Sequence, residues 1–527
     1  MSAPNFAASR VSTQRLVRML GEWREHGGRQ GSAGLAAGIR LLVFDGQLPP
    51  GTLLPAEREL AAALGVSRTL VATAWDLLRA DGLIVSRRGS GTRTALPAAR
   101  DREPEPAGEH LIDLARAAPA ALPGLGAAID AVRGSFAAEL SGHGYHEFGL
   151  DILRERIADR FTARGLPTGP EEVLITNGAH HALALVLRAL TGPGDRVLVE
   201  QPTYPNAIET MRAAHVVPVP VPLPESYPQA APLAPESSAP AGSLEQGRPP
   251  RAGGGCAGAG LGLGGSGLGA GWDLDGVEAA LRQAAPRLAY FVVDFQNPTG
   301  RRLDAAGRER LAAALRRGRT PAVVDETLVE LDLVGDPVDG PPPMAAFAPN
   351  LVVTVGSVSK SHWGGLRLGW VRAPEEVIGR LAAARHAFDL GSPVLEQLVV
   401  AQLYADPEPM LRERRAVTRQ ARDALVAAVR THCPDWAFEL PEGGLSLWCR
   451  LPAPIGTRVA VAAQNAGVRV APGSRFGVHG GLERWLRLPY ALPAPVLVDA
   501  VLRLSRVAAG ITGAPGSVGS DGLIPVV

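Results

Sequence analysis

Val355-Gly356-Ser357-Val358-Ser359-Lys360-Ser361-His362-Trp363-Gly364-Gly365-Leu366-Arg367-Leu368-Gly369 is the stretch from which the rest of the chain can be read. A strand-like run enters it, Ser-x-Ser-Lys then sets an amine beside two hydroxyls, and a guanidinium follows seven residues after the lysine. The amine is singular: of 53 basic residues, 52 are arginine and Lys360 is the one lysine. Arginine keeps its proton at accessible pH and forms no imine, whereas a desolvated lysine can lose its proton and condense with a carbonyl. The lysine kept in an arginine-dominated chain therefore marks a position for amine chemistry. Arg367 is able to hold a phosphate dianion through paired N–H donors.

Outward from this segment, short β-branched runs at 173–176, 196–200, 288–294, 322–325 and 351–355 alternate with Ala/Leu/Arg stretches of helical composition. Strands alternating with helices predict a parallel α/β sheet. After the first run, Thr176-Asn177-Gly178-Ala179-His180 leads into a helix predicted over 181–190, whose free N-terminal amides suit a phosphate. After the second, Glu200-Gln201-Pro202-Thr203-Tyr204 supplies an aromatic ring able to stack on a flat heterocycle. Asn297-Pro298-Thr299-Gly300, after the third, can aim an amide at a ring hydroxyl. Asp325, closing the fourth, can pair with a protonated ring nitrogen and so maintain an electron sink. Any one of these could be an ordinary turn or packing residue. In this order, with Ser-x-Ser-Lys, they meet the requirements of pyridoxal 5′-phosphate.

The front of the chain has a different character. Residues 1–100 hold 13 Arg against 7 Asp and Glu, a balance of +6 in a chain of net charge +1, so the remainder is acidic. Pro55-Ala56-Glu57-Arg58-Glu59-Leu60-Ala61-Ala62-Ala63-Leu64 predicts a short helix, Gly65-Val66 a turn, and Ser67 the cap of a second helix over 68–80. Beyond Asp81-Gly82, the run Leu83-Ile84-Val85-Ser86-Arg87-Arg88-Gly89-Ser90-Gly91-Thr92 predicts a β-hairpin with a glycine-rich, doubly basic tip. A helix-turn-helix beside such a wing suits DNA. The second helix enters the major groove by its N-terminal end, where Ser67, Arg68 and Thr69 stand, and the wing arginines Arg87 and Arg88 meet phosphate or minor groove.

A chain of 527 residues, 46% apolar and 20% charged, is expected to form at least two soluble domains. No apolar run approaches the ~20 residues of a membrane span, and no export signal is expected. Cys256, Cys433 and Cys449 form no disulfide framework and have no metal-ligand spacing, so no metal is expected and a cytoplasmic location is. Residues 1–96 are read as the DNA-binding domain, 97–110 as a proline-bearing linker, and 111–513 as the α/β body. Within the body, the Gly/Pro/Ala/Ser-rich 225–271 is predicted to be a disordered insertion, and 514–527 a disordered tail.

Residues 35–94 resemble the winged helix-turn-helix of the GntR regulator family, through Leu54-Pro55-Ala56-Glu57-Arg58-Glu59-Leu60-Ala61, Val66-Ser67-Arg68-Thr69 and Gly89-Ser90-Gly91-Thr92. That resemblance implies Arg58, Ser67, Arg68, Thr69 and Gly89 near DNA; Leu70 stands where the family often has threonine. The body resembles fold-type I, aspartate aminotransferase-like proteins in motif order and spacing. The likeness implies Lys360 as the Schiff-base lysine, Asp325 on the ring nitrogen, Asn297 on the ring oxygen and Tyr204 stacked on the ring. It further implies Gly178, Ala179, Ser357 and Arg367 at the phosphate, Tyr145 reaching the phosphate of a partner subunit in a homodimer, and Arg487 on an effector carboxylate, with Arg484 a nearby competitor. Two positions depart from that pattern: Leu328 replaces a tyrosine three residues after the ring aspartate, and His180 a glutamine. The whole chain resembles the MocR subgroup of transcriptional regulators, an α+β winged helix followed by an α/β aminotransferase-like domain. The expected function is binding of a double-stranded DNA operator under the control of pyridoxal phosphate or an amino acid or amine effector. The alternatives are a working aminotransferase carrying a DNA-binding module, and a body that serves only dimerisation.

Overall fold

The computed structural model describes residues 10–20, 31–44, 47–49, 51–80, 82–87, 91–95, 111–224 and 271–512. The predicted linker 97–110, the wing-tip residues Arg88 and Gly89, the insertion 225–271 up to its last residue, and the tail 514–527 lie outside the described residues.

In the front unit, α1 (Thr13–Leu20), α2 (Gly31–Phe44), α3 (Glu57–Leu64) and α4 (Arg68–Ala80) surround Leu16, Leu35, Ile39, Leu60, Trp75 and Leu78, all buried. The turn between α3 and α4 is made by Gly65, which sits at φ +62° and donates its N–H back to the carbonyls of Ala61 and Ala62. A residue with a Cβ would be strained there. Ser67 Oγ accepts from the Leu70 N–H at 3.2 Å, capping α4. β1 (Ile84–Arg87) and β2 (Gly91–Thr94) form the predicted antiparallel hairpin, with Arg87 opposite Gly91. The hairpin is tied inward by a bridge from Leu53 to Arg93, a third strand position that the sequence pattern did not announce.

The body is built on two sheets. β3 (Ile112–Leu114) belongs to the smaller one. The larger contains β4 (Val173–Thr176), β5 (Arg196–Gln201), β6 (Val217–Pro222), β7 (Leu288–Phe291), β8 (Ala322–Asp325), β9 (Val352–Ser357) and β10 (Gly369–Arg372), in the order β4-β10-β9-β8-β7-β5-β6. Alternate strand residues face two apolar layers: Val173, Ile175, Leu198 and Val324 face one, Leu174, Val197, Val323 and Val355 the other. Both faces are covered by helices, which is why the strands read as near-continuous apolar runs. The sheet departs from the all-parallel expectation: β10 runs antiparallel to both β4 and β9. The predicted strand over 288–294 ends at Phe291, because the Val292 N–H turns to Glu200 Oε2 (3.1 Å) in place of a neighbouring strand. β11 (Ser446–Arg450), β12 (Val468–Pro472) and β13 (Trp485–Pro489) complete the smaller sheet, in the order β11-β13-β12-β3. Helices Glu408–His432 and Ala494–Thr512 pack on it.

The two ends of the insertion meet at one side chain. Arg301 Nη1 donates to the carbonyls of Pro224 (2.7 Å) and Gly271 (3.1 Å), while its Nε and Nη2 form a paired bond to Glu439 (2.8 and 2.9 Å). Trp272, just beyond, is buried and donates to Glu200 at 3.0 Å. Gly271 thus belongs to the folded body, one residue inside the predicted insertion boundary. Because the ends are held side by side, removing 225–270 and joining Pro224 to Gly271 through a short turn is expected to leave the melting temperature within a few degrees of the parent. A large drop on thermal melting would show that the segment packs on the body.

Candidate cofactor site and nucleic-acid interface

In an open α/β sheet, ligands collect beyond the carboxyl ends of the strands. β4, β5, β8 and β9 deliver Asn177-Gly178, Tyr204, Asp325 and Ser357 to that edge, and a cavity of about 820 Å³ opens there. Lys360, Asp325, Asn297, Tyr204, Arg367 and Arg487 all line it, as do Ala179, Ser357, His180 and Leu328.

The phosphate corner is formed by backbone. α5 (Ala179–Leu190) begins two residues before the helix start expected from sequence, because Gly178, at φ +87°, ends the strand and exposes the first helical amides. A side chain on Gly178 would stand 3.2 Å from Arg367 Nη2, and that nitrogen donates to the Asn177 carbonyl at 3.3 Å. Ser357 Oγ donates to the Leu368 carbonyl (2.9 Å) and lies 2.8 Å from Ser359 Oγ. A guanidinium, two hydroxyls and a helix N-terminus thus converge where a dianion fits.

Lys360 Nζ donates to the Ala117 carbonyl at 2.7 Å. Burial, aided by the positive charges of Arg487 and Arg367 and opposed by Asp325, pushes its pKa down to about 8. Asp325 accepts from the Tyr290 hydroxyl at 2.9 Å through Oδ2, and from the amide (2.9 Å) and hydroxyl of Thr327 through Oδ1. Tyr204 is held by a bond from the Asn206 amide to its hydroxyl at 3.0 Å.

Of the two candidate carboxylate-binding arginines, the geometry separates the roles. Arg487 is buried on β13, donates to the Ala115 carbonyl and to Asn297 Oδ1 (3.4 Å), stacks over Phe476, and retains a buried Nε with no partner. Burial and the nearby Arg475 push its pKa down to about 10. Arg484 turns away to the Pro452 carbonyl. Arg487 lines the cavity and Arg484 does not, so Arg487 is the one of the two placed to meet a carboxylate. Leu328 packs on Phe295, Leu331 and Leu445 and offers the cavity no hydrogen bond. Tyr145, 62% exposed, lies outside the cavity of its own chain and stacks near His143.

Sequence reasoning missed Tyr290, Thr327 and Glu200. Glu200 is fully buried, pushed up to about 8 by burial despite donors from Trp272, Val292 and Gln296. None of these has a distinctive local motif; Tyr290 and Glu200 emerge from the packing of neighbouring strands and loops, and Thr327 from the turn that closes on Asp325.

On the front unit, Arg58, Ser67, Arg68 and Thr69 are exposed on α3 and at the start of α4. Arg68 is held loosely by Glu57 at 3.5 Å. Leu70 is half-buried against the core, a packing position.

Residues 32–93 match the family model of bacterial regulatory proteins, gntR family, and residues 110–229 and 269–503 match aminotransferase class I and II. The chain belongs to the aminotransferase class I and II family, in its MocR form. The MocR-type chain is 29% identical to a 2-aminoadipate transaminase of Thermus thermophilus, over 67% of this chain and 79% of that one. It is 25% identical to the HTH-type transcriptional regulator TauR of Rhodobacter capsulatus, over 82% and 87%. The body superposes on the crystal structure of LysN, an alpha-aminoadipate aminotransferase from Thermus thermophilus complexed with N-(5′-phosphopyridoxyl)-L-leucine. The TM-score is 0.63 at 26% identity, covering 76% of this chain and 93% of that one. The cofactor of this MocR-type body is pyridoxal 5′-phosphate, and the phosphate corner, the buried amine and the ring of polar groups fit it. When bound, it supplies an aldehyde for an amine and a pyridinium that draws off electrons. No helix among the described residues is long and apolar enough to cross a membrane.

The depressed amine sets a pH dependence. Above about pH 8 Lys360 is largely neutral and nucleophilic, so uptake of pyridoxal phosphate by the apoprotein is expected to accelerate through that midpoint. An ordinary lysine would show it near 10.5. Removing a like charge with Arg487→Leu should move the midpoint upward. Stopped-flow absorbance across pH 6–11 checks both.

Proposed function

We propose that this protein is a transcriptional regulator. It binds a double-stranded DNA operator through α4 and the wing, and it senses pyridoxal phosphate, or an amino acid or amine, by imine exchange at Lys360. One juxtaposition carries the reading: the chain's one lysine lines a cofactor cavity, in a polypeptide whose front unit exposes the N-terminal end of a recognition helix.

In this reading Lys360 holds the cofactor as an imine, Asp325 faces the ring nitrogen, Asn297 the ring oxygen, and Tyr204 stacks on the ring. Gly178, Ala179, Ser357 and Arg367 hold the phosphate, and Arg487 receives the effector carboxylate. The protein acts as a cytoplasmic homodimer in which Tyr145 reaches the partner's phosphate. Its exposure, with that of Leu140, Phe388 and Leu390 on the same stretch of body surface residues, supports a covered face in the dimer. Arg58, Ser67, Arg68, Thr69, Arg87, Arg88 and Gly89 meet the DNA. An effector shifts DNA binding only through a difference in affinity between two arrangements of the protein.

A second reading, an active aminotransferase with a DNA-binding module, is favoured by Arg487 and by the likeness to a transaminase. Leu328, which removes the phenol beside the ring oxygen, weighs against efficient turnover.

Borohydride reduction should fix a pyridoxyl group on the peptide containing Lys360 alone, and Lys360→Ala should lose that label and its response to effector while keeping basal operator binding. A surviving effector response in the variant removes imine exchange from the mechanism. Separately, Arg68→Ala should weaken operator binding by about 1–3 kcal/mol with the cofactor spectrum unchanged. Unaltered affinity in a gel-shift titration would count against α4 as the recognition helix.

A further inference from the structure

Tyr290 stands opposite Val323 across the β7–β8 ladder, so Asp325, two positions on, is its diagonal neighbour on the same sheet face. An aromatic side chain spans that diagonal, and its hydroxyl donates to Asp325 Oδ2 at 2.9 Å. The other carboxylate oxygen, Oδ1, already takes two donors, the amide and hydroxyl of Thr327. Each carboxylate oxygen has about two acceptor positions. Oδ1 is therefore filled, and Oδ2 keeps one position open, on a residue that lines the cavity. Tyr290 is wholly buried and does not line the cavity, so it can act there only through Asp325.

We propose that Tyr290 is a positioning residue whose phenol holds Asp325 with a single open acceptor on Oδ2, and holds it as an anion, so that the ring nitrogen of bound pyridoxal phosphate stays protonated. This rests on the reading that Asp325 faces that nitrogen. Burial and the charge of Asp325 keep the phenol protonated well above its ordinary range, so it is a donor at every working pH. A donor on a carboxylate stabilises the anion relative to the acid; without the phenol Oδ2 is neither aimed nor supported as a charged acceptor, and a pyridinium facing it loses the fixed anion that stabilises it. Leu328 gives the consequence weight. With an aliphatic side chain where a phenol would meet the ring oxygen, electronic control of the cofactor falls to its nitrogen side, where Tyr290, Asp325 and Thr327 form one bonded set.

The test uses the full-length protein loaded with pyridoxal phosphate carrying ¹⁵N in the ring. In the wild type the ring nitrogen should give the shift of a pyridinium. Tyr290→Phe, which keeps the ring packing, should move that shift toward neutral pyridine and weaken cofactor binding about tenfold, with the thermal melt of the apoprotein little changed. Adding Tyr290→Phe to Asp325→Asn should then change the shift no further. A wild-type shift in Tyr290→Phe overturns the proposal, as does a loss of affinity with an unmoved shift, which would mean a packing role only. If Asp325→Asn itself leaves the ring protonated, it is the assignment of Asp325 that fails. Should Tyr290→Phe not fold, 3-fluorotyrosine incorporated at position 290 offers a stronger donor of nearly the same shape. It should raise the pyridinium fraction where a titration leaves room and tighten cofactor binding, and weaker or equal binding with an unmoved shift overturns the proposal.

Discussion

Gly369 cannot carry a side chain. A Cβ there would stand 2.5 Å from the Gly356 carbonyl oxygen and 2.7 Å from the Ala179 amide nitrogen, closer than real Cβ contacts come. This close approach lets β10 slot between β4 and β9, with Gly369 registered against both Thr176 and Ser357. Two strands far apart in sequence are thereby set one strand's width either side of β10, and their carboxyl ends deliver the helix N-terminus at Gly178 and the serines at 357 and 359 to one corner. Arg367, two residues before Gly369, is carried to the same corner in a left-handed turn at φ +53°. The cofactor cavity is in this sense a by-product of one backbone contact.

The strands whose apolar runs are unbroken were legible, because burial on both faces leaves no polar residue to obscure them; Val173–Thr176 and Ala322–Asp325 match expectation residue for residue. The direction of β10 was not. Gly369–Arg372 has the composition of any short strand, and nothing local in it encodes antiparallel pairing. The cavity residues visible in sequence are those that follow strands in motif-like turns, such as Asn297 and Lys360. Tyr290 escaped because its importance lies in register: a tyrosine in mid-strand looks like core until the ladder shows which carboxylate lies diagonally across from it; Thr327 escaped because a threonine two residues past a strand-ending aspartate reads as an ordinary turn residue. The choice between Arg484 and Arg487 likewise needed the strand's start at Trp485, which leaves Arg484 outside it, bonded to the Pro452 carbonyl, and sets Arg487 within it at the cavity.

The scarcity of lysine shows itself in the interior as well as at the site. Arg164 with Glu326, Arg160 with Glu330, and Arg308 with Asp294 are ion pairs with both partners largely or wholly buried. A guanidinium fork suits such places, since it can bind a carboxylate with two N–H groups, as Arg160 does at Glu330, or divide its donors between a carboxylate and backbone carbonyls, as Arg308 does among Asp294, Leu303 and Pro342. Deleting one member would strand the other in a dry interior, at a cost on the order of 3–5 kcal/mol. Arg160, in the helix Asp151–Ala163, and Arg164, just beyond its end, tie that helix to Glu330 and Glu326, which follow β8.

The Arg301 clamp bears on how this body can change over time. A guanidinium that already fixes the carbonyls on both sides of 225–270 separates the folding of the sheet from the length of chain between them. With the ends pinned, the entropy of closing a chain between them rises only as the logarithm of its length, roughly 0.6 kcal/mol for each doubling. Lineages can therefore lengthen, shorten or replace the segment almost neutrally, and a foreign domain grafted there would ride on the regulator without reaching its chemistry.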